Sequence, residues 1–329
     1  MHVDVHSQKE VTRMSKIAFP PCLFATALLI VLHADPAAAQ TRVFVSTAGS
    51  DSNPCTVASP CRTFAHAYTT VAANGEIDVL TPGGYGGLTI THGISIQGHG
   101  FAGISVASGG TGITINATSS DAINLNGLLL DGGDVGNFGI LFNSGKSLTV
   151  ENCVARNMSI IGLAFCSTAT TAQTLAVSNS YFSDNGQDGI NIETDDVGAI
   201  TASVDRTGLY GNGRDGLIVY GNSTGAATVA VTDSVASGNV TYGFIVQANP
   251  GNSGSNLSLT SSLAEGNATG VEAHGGSNAA LWLAQSTVTG SSAHGFVADA
   301  GGVINSYGDN YIDTSNGTNT GSLTSVGKQ

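Results

Sequence analysis

Charge is the scarcest property of this 329-residue chain: 10% of its residues are charged, with 10 Lys and Arg against 23 Asp and Glu. A formal charge of −13 with no basic cluster repels phosphate backbones and excludes a nucleic-acid reader. Long amphipathic helices are excluded as well. They need Glu, Lys and Arg on a wet face and tolerate glycine badly, whereas this chain carries 45 Gly. Aromatics make up 6%, with one Trp, and no long apolar run follows Leu32, so the mature chain should not span a membrane. The run Gly83–Gly87 lacks a following Lys-Ser/Thr helix and reads as a turn, and the histidines form no spaced metal motif. What is plentiful is Val, Ile and Leu among Gly, Ser, Thr and Asn, with 41% hydrophobic residues in all. That is too much apolar surface for disorder, and it points to an all-β protein of many short strands.

The first 39 residues read as a leader. Lys9, Arg13 and Lys16 precede the apolar run Ile17 to Leu32, and Ala37-Ala38-Ala39 supplies a small-residue cleavage site. Translation starts at Met1 or at Met14. Three basic and three acidic residues leave with the leader, so the mature chain keeps 7 basic against 20 acidic side chains and stays at −13. The expected location is secreted, periplasmic or extracellular. Cys22 leaves too, and the Pro-bounded loop Asn53-Pro-Cys-Thr-Val-Ala-Ser-Pro-Cys61 predicts a Cys55–Cys61 disulfide. Cys153 and Cys166 form either a second bridge or two separate thiols.

An internal repeat organises the rest. Leu148-Thr-Val, Leu175-Ala-Val, Ala202-Ser-Val, Val229-Ala-Val, Leu257-Ser-Leu and Leu281-Trp-Leu are versions of one strand. Each is followed by a strand led by glycine, at Gly162, Gly189, Gly216, Gly243, Gly270 and Gly295, with spacings of 27, 27, 27, 27 and 25. A 27-residue unit has no room for a helix, so the units should stack as coils of a parallel β-solenoid, each about 4.8 Å tall. Alternation then sends Leu163, Ile190, Leu217, Phe244, Val271 and Phe296 inward, with Phe165, Ile192, Val219 and Val246 beginning a second inward column. Asn185, Asn212, Asn239 and Asn267 recur at the bend between the strands and should form an asparagine ladder. Their inward amides argue against glycosylation at the sequons beginning with Asn239 and Asn267.

These coils resemble the right-handed parallel β-helix of the pectate-lyase-like superfamily, as do the N-terminal segments Arg42-Val-Phe-Val-Ser-Thr-Ala-Gly-Ser-Asp, Pro60-Cys-Arg-Thr-Phe and Ile77-Asp-Val-Leu-Thr-Pro-Gly-Gly-Tyr. The resemblance implies about ten coils closed at the N-terminal end by a short helix. Thr63 to Ala73 would be that helix, with Phe64, Ala67, Tyr68 and Val71 at helical spacing. The expected layout is a signal peptide at 1–39, an N-terminal cap at 40–76, the β-helix at 77–300 and a C-terminal cap or flexible tail at 301–329.

Outward columns locate the chemistry. The first strand presents small residues and reads as a bland wall, apart from Trp282, which either stacks on a sugar or is covered by the C-terminal tail. The Gly-led strand presents Ala164, Asn191, Ile218, Ile245, Glu272 and Val297, then Cys166, Glu193, Tyr220, Gln247, His274 and Asp299. Exposed aliphatics among polar groups suit a sugar groove. Asn191, Glu193, Ile218, Tyr220, Ile245, Gln247, Glu272 and His274 are therefore the candidate binding residues. Asp188 and Asp215 sit one coil apart in front of glycines and, with Arg214, are the candidate catalytic set. Gln187-Asp188-Gly189-Ile190 and Arg214-Asp215-Gly216-Leu217 look like the Asp-Gly strand entries of polygalacturonases, which implies acid and base roles. A further aspartate and the Arg-Ile-Lys clamp of that family are missing, and Asp before Gly is also an ordinary turn residue. Glu193, Asp195 and Asp196 offer oxygens for calcium, the one cofactor suggested. Arg206 stacks in register with Asp233, an expected ion pair.

The favoured function is an exported monomeric scaffold binding carbohydrate or another extended polymer along the Gly-led face. The alternatives are a polysaccharide lyase or glycoside hydrolase using the stacked aspartates, and an adhesin or envelope element using the flat wall.

Overall fold

In the computed structural model, which describes residues 40–167, 170–194, 198–222, 224–249, 251–313 and 318–327, the chain is an all-β parallel solenoid of about ten turns. The segment read as a leader lies outside the described residues. Each regular coil carries three strands rather than the two that the repeat suggested. In one coil these are Gln173–Ser178, Tyr181–Ser183 and Ile190–Thr194. The first two kinds stack into a 20-stranded sheet, and the Gly-led strands form a separate nine-stranded sheet. Pairing is parallel and follows the repeat, Leu163 to Ile190 to Leu217 to Phe244 to Val271 to Phe296. Every member of that column is buried, as are Phe165, Ile192, Val219 and Val246.

Two bends turn the chain within each coil, and each satisfies its polar groups by stacking. At the first, Asn152, Asn179, Arg206, Asp233, Ser261 and Gln285 adopt left-handed φ values between 44° and 53°. Such a conformation is uncommon outside glycine and aligns the same corner coil after coil. The next residue is small and polar: Ser180, Ser234, Ser262 and Ser286 accept through Oγ from the backbone N–H of Cys153, Thr207, Ser234 and Ser262 at 3.1–3.3 Å. At the second bend the asparagine ladder is present. Nδ2 of Asn185, Asn212 and Asn239 donates to Oδ1 of the next asparagine at 2.9, 2.8 and 2.9 Å.

At the N-terminal end, helix α1 spans Phe64–Thr70, shorter than the expected 63–73 because Val71 already begins a strand. The Thr63 hydroxyl caps it by accepting from the His66 N–H, while Phe64 and Ala67 are buried. Cys55 and Cys61 form the disulfide, whereas Cys153 and Cys166 do not bridge to each other. Cys153 occupies the first rung of the serine ladder, where burial raises its thiol pKa to about 11. At the other end the tail continues the coil. Val303–Ser306 pairs with Ala280–Leu283, Tyr311 and Ile312 pair with Thr287 and Val288, Thr320 bridges Val297, and Leu323–Ser325 adds to Ile304–Ser306.

Candidate functional site

The Gly-led face begins with a steric requirement. A Cβ on Gly216 would sit 2.5 Å from the carbonyl oxygen of Gly243 and 3.0 Å from Asn239 Nδ2, and Gly162, Gly189 and Gly243 face the same pair of obstacles. Only glycine lets the coils approach this closely beside the ladder. The residue before each glycine is thereby held at the entry to the strand, where Asp215, Tyr242, Thr269 and His294 form one register and Asp188 lies a coil earlier.

Arg214 ties the two aspartates together. Its Nε donates to Asp188 Oδ1 at 2.7 Å and lies 3.2 Å from Asp215 Oδ2, while Nη2 donates to Asp188 Oδ2. Sharing one nitrogen places the carboxylate oxygens no more than about 6 Å apart, close enough for mutual repulsion. The side chains of Asp188 and Asp215 are 0% and 2% exposed, whereas that of Arg214 is 43% exposed. Burial outweighs Arg214 and raises the Asp188 pKa above the usual carboxylate value. Burial, then the charge of Asp188, pushes Asp215 to about 7. The Tyr242 N–H donates to Asp215 Oδ1 at 3.3 Å. The aspartates expected at the surface are thus buried beneath the guanidinium, because the bend that presents them also encloses them.

Two coils on, a second polar cluster forms. His274 Nδ1 lies 2.6 Å from Asp299 Oδ1 and 3.8 Å from Glu272 Oε1. Burial, then Asp299, raises the pKa of Glu272, and Tyr242 is pushed to about 12 by burial and then by the Glu272 charge. The repeat already sets Asp299 next to His274 in one outward column, and the register confirms it, whereas nothing in the sequence marks Tyr242 as a partner of Glu272.

The row between these clusters corrects the sequence reading. Ala164, Asn191, Ile218, Ile245, Glu272 and Val297 are all buried rather than exposed, so they make a floor and not an apolar platform. Cys166, Glu193, Tyr220, Gln247, His274 and Asp299 are partly exposed along one side of that floor. Asn191 donates toward Asp188, and its Oδ1 is buried without a hydrogen-bond partner among the described residues. Glu193 Oε1 accepts from Asn222 at 3.3 Å, and Tyr220 Oη accepts from Asn249 at 3.0 Å. Asp195 and Asp196, the remaining expected calcium ligands, lie outside the described residues. Arg206 does not pair with Asp233. It reaches Asp205 at 2.6 Å and Asn179 at 2.9 Å, because the left-handed corner turns its side chain toward those neighbours.

The wall is less bland than expected. Trp282 packs against Tyr307 with ring centroids 6.3 Å apart, flanked by adjoining depressions of about 850 and 410 Å³. These bring hydroxyls and an aromatic pair together but not a coupled set of titratable groups, so the chemistry concentrates on the Gly-led face.

No family model matches the sequence, and no curated protein matches it significantly. Solved structures do resemble the fold. XylC in complex with xylose superposes with a TM-score of 0.59 at 9% identity, over 80% of this chain and 69% of that one. A rhamnogalacturonan lyase gives 0.58 at 14% identity over 87% and 86%. An alginate lyase from Paenibacillus sp. str. FPU-7 gives 0.51 at 13% over 86% and 99%. The chain therefore shares the parallel β-helix fold of these structures, two of them lyases, at an identity too low to carry their chemistry across.

Proposed function

We propose that the protein is exported and binds an extended saccharide along the Gly-led face, with the buried row as floor and Glu193, Tyr220, Gln247 and His274 as one rim. The observation that carries this reading is the row of partly exposed polar side chains, Glu193, Tyr220, Gln247 and His274, held in register coil after coil along the floor. Donors and acceptors set in a line at coil spacing suit the repeated hydroxyls of an extended saccharide. Arg214, half exposed, offers its remaining N–H groups at the entry to the same strands. The formal charge of −13 and the carboxylates of this face favour a neutral glycan over a polyanion. The fold neighbours, two lyases and a xylose complex, make a carbohydrate partner the natural class.

A second reading, a polysaccharide lyase or glycoside hydrolase, is favoured by Asp215. A carboxyl that titrates at about 7 beside a second carboxyl and a guanidinium is suited to proton transfer at neutral pH. One experiment tests both: a glycan array and a product assay on the wild type, Tyr220→Ala and Asp215→Asn, with and without added Ca²⁺. Binding that falls at least tenfold in Tyr220→Ala with no product formed supports the scaffold. Product formation abolished by Asp215→Asn supports the enzyme. Absence of any glycan binding or turnover overturns both readings.

A further inference from the structure

The cluster Glu272, His274 and Asp299 is not explained by saccharide binding alone. It occupies two adjacent Gly-led strands, Thr269–His274 and His294–Asp299, where the register sets His274 directly opposite Asp299. Alternation places Glu272 two residues before His274 on the same outward side. One ligand atom from each residue, the imidazole nitrogen and two carboxylate oxygens, lies within 4.8 Å of the others. The two measured sides of that triangle are 2.6 and 3.8 Å, so a single point exists within roughly 2.5 Å of all three atoms. Opening the hydrogen-bonded Nδ1–Oδ1 pair from 2.6 Å to roughly 3.3 Å, the separation of two ligands on a tetrahedral ion, while Glu272 draws in, brings all three atoms to the roughly 2.0–2.2 Å of zinc–nitrogen and zinc–oxygen bonds.

We infer that Glu272, His274 and Asp299 form a binding site for a divalent transition-metal ion, with zinc the best match to one imidazole and two carboxylates. The charges close: a dication offsets two carboxylates that otherwise repel one another across the strand pair. Glu272 is held from below, with its side chain 7% exposed and hydrogen-bonded to Tyr242, as expected of a ligand with an outer support. His274 and Asp299 are 40% and 41% exposed, which leaves an entry path and open coordination positions for water. Calcium fits poorly, since it takes six to eight oxygens and a nitrogen ligand does not suit it. Metal binding replaces the hydrogen bond between His274 Nδ1 and Asp299 Oδ1, with the imidazole N–H carried on Nε2. The site does not depend on the saccharide reading and is tested without any glycan.

The test is isothermal titration of the EDTA-dialysed protein with ZnCl₂, MnCl₂ or CaCl₂ alone. The expected result is one Zn²⁺ per chain, bound at least tenfold more tightly than Ca²⁺, with a rise in Tm on adding Zn²⁺. His274→Ala and Asp299→Asn should each weaken zinc binding at least a hundredfold while retaining the wild-type circular dichroism. His99→Ala should leave it unchanged, because His99 faces Asp78 at 2.6 Å in a similar pair that is not part of a three-ligand cluster. No saturable zinc binding, or zinc binding that survives His274→Ala, overturns the assignment.

Discussion

Asp215 shows how one residue can make a coil sensitive to pH. Its folded pKa of about 7 lies well above the usual carboxylate value, so between about pH 4 and 7 the folded protein holds a proton that the unfolded chain releases. Raising the pH through that window therefore weakens the fold, by on the order of 1.4 kcal/mol per unit at the steepest. Asp188 is coupled to it, so the pair titrates together. Asp215→Asn should flatten the slope of unfolding free energy against pH over this window, as measured by urea denaturation; an unchanged slope would show that Asp215 is ionised in the folded state. The two aspartates and Arg214 were legible as a group from their spacing. Their burial was not, because enclosure depends on how the bend folds over them.

At the scale of an element, the asparagine ladder carries the second bend. The Asn212 amide donates to Asn239 Oδ1 at 2.8 Å and to the Phe182 carbonyl at 3.2 Å, while its own Oδ1 accepts from Asn185 Nδ2 at 2.9 Å and from the Asn185 N–H at 3.2 Å. Truncation strands several buried partners at once, so Asn212→Ala should cost about 3 kcal/mol in equilibrium unfolding. Ser203→Ala on the exposed wall should stay within about 0.5 kcal/mol of wild type. Equal losses for the two would mean that the ladder adds nothing beyond surface polarity. Asparagine returns every 27 or 28 residues at one fixed position of the bend, which makes its ladder legible in the sequence. The serine ladder at the first bend is not legible there, because serine and threonine occur at nearly every wall and turn position, and the left-handed corner that recruits them has no fixed residue type.

At the scale of the whole molecule, the excess of acidic over basic residues sets a uniform strain. The repulsion acts over the whole surface rather than between ladder neighbours, since a column such as Glu151, Ser178, Asp205 and Thr232 sets a hydroxyl between its carboxylates. Added NaCl should raise Tm progressively from low to physiological ionic strength, as followed by circular dichroism, because exposed carboxylates are screened while the buried Asp188–Arg214 pair is not. A Tm that falls with salt would place the dominant electrostatics in favourable surface pairs instead. Such pairs exist, Arg156 with Asp131 at 3.0 Å for one, but exposed pairs contribute little.

By itself the sequence determined the solenoid. A repeat of 27 residues leaves no alternative to stacking, period-two alternation decides which side chains enter the core, and glycine before each strand marks the close approach of coils. Only the tertiary structure decided which partners the outer side chains take. In a stack, every outward group has neighbours above, below and alongside at similar distances, and the sequence cannot rank them. The tertiary structure turned Arg206 to Asp205 instead of Asp233, buried Ile218 and Ile245 that alternation placed outside, and set Tyr242 against Glu272. Those choices rest on differences of an ångström or two in side-chain reach. They fix which side chains this face presents.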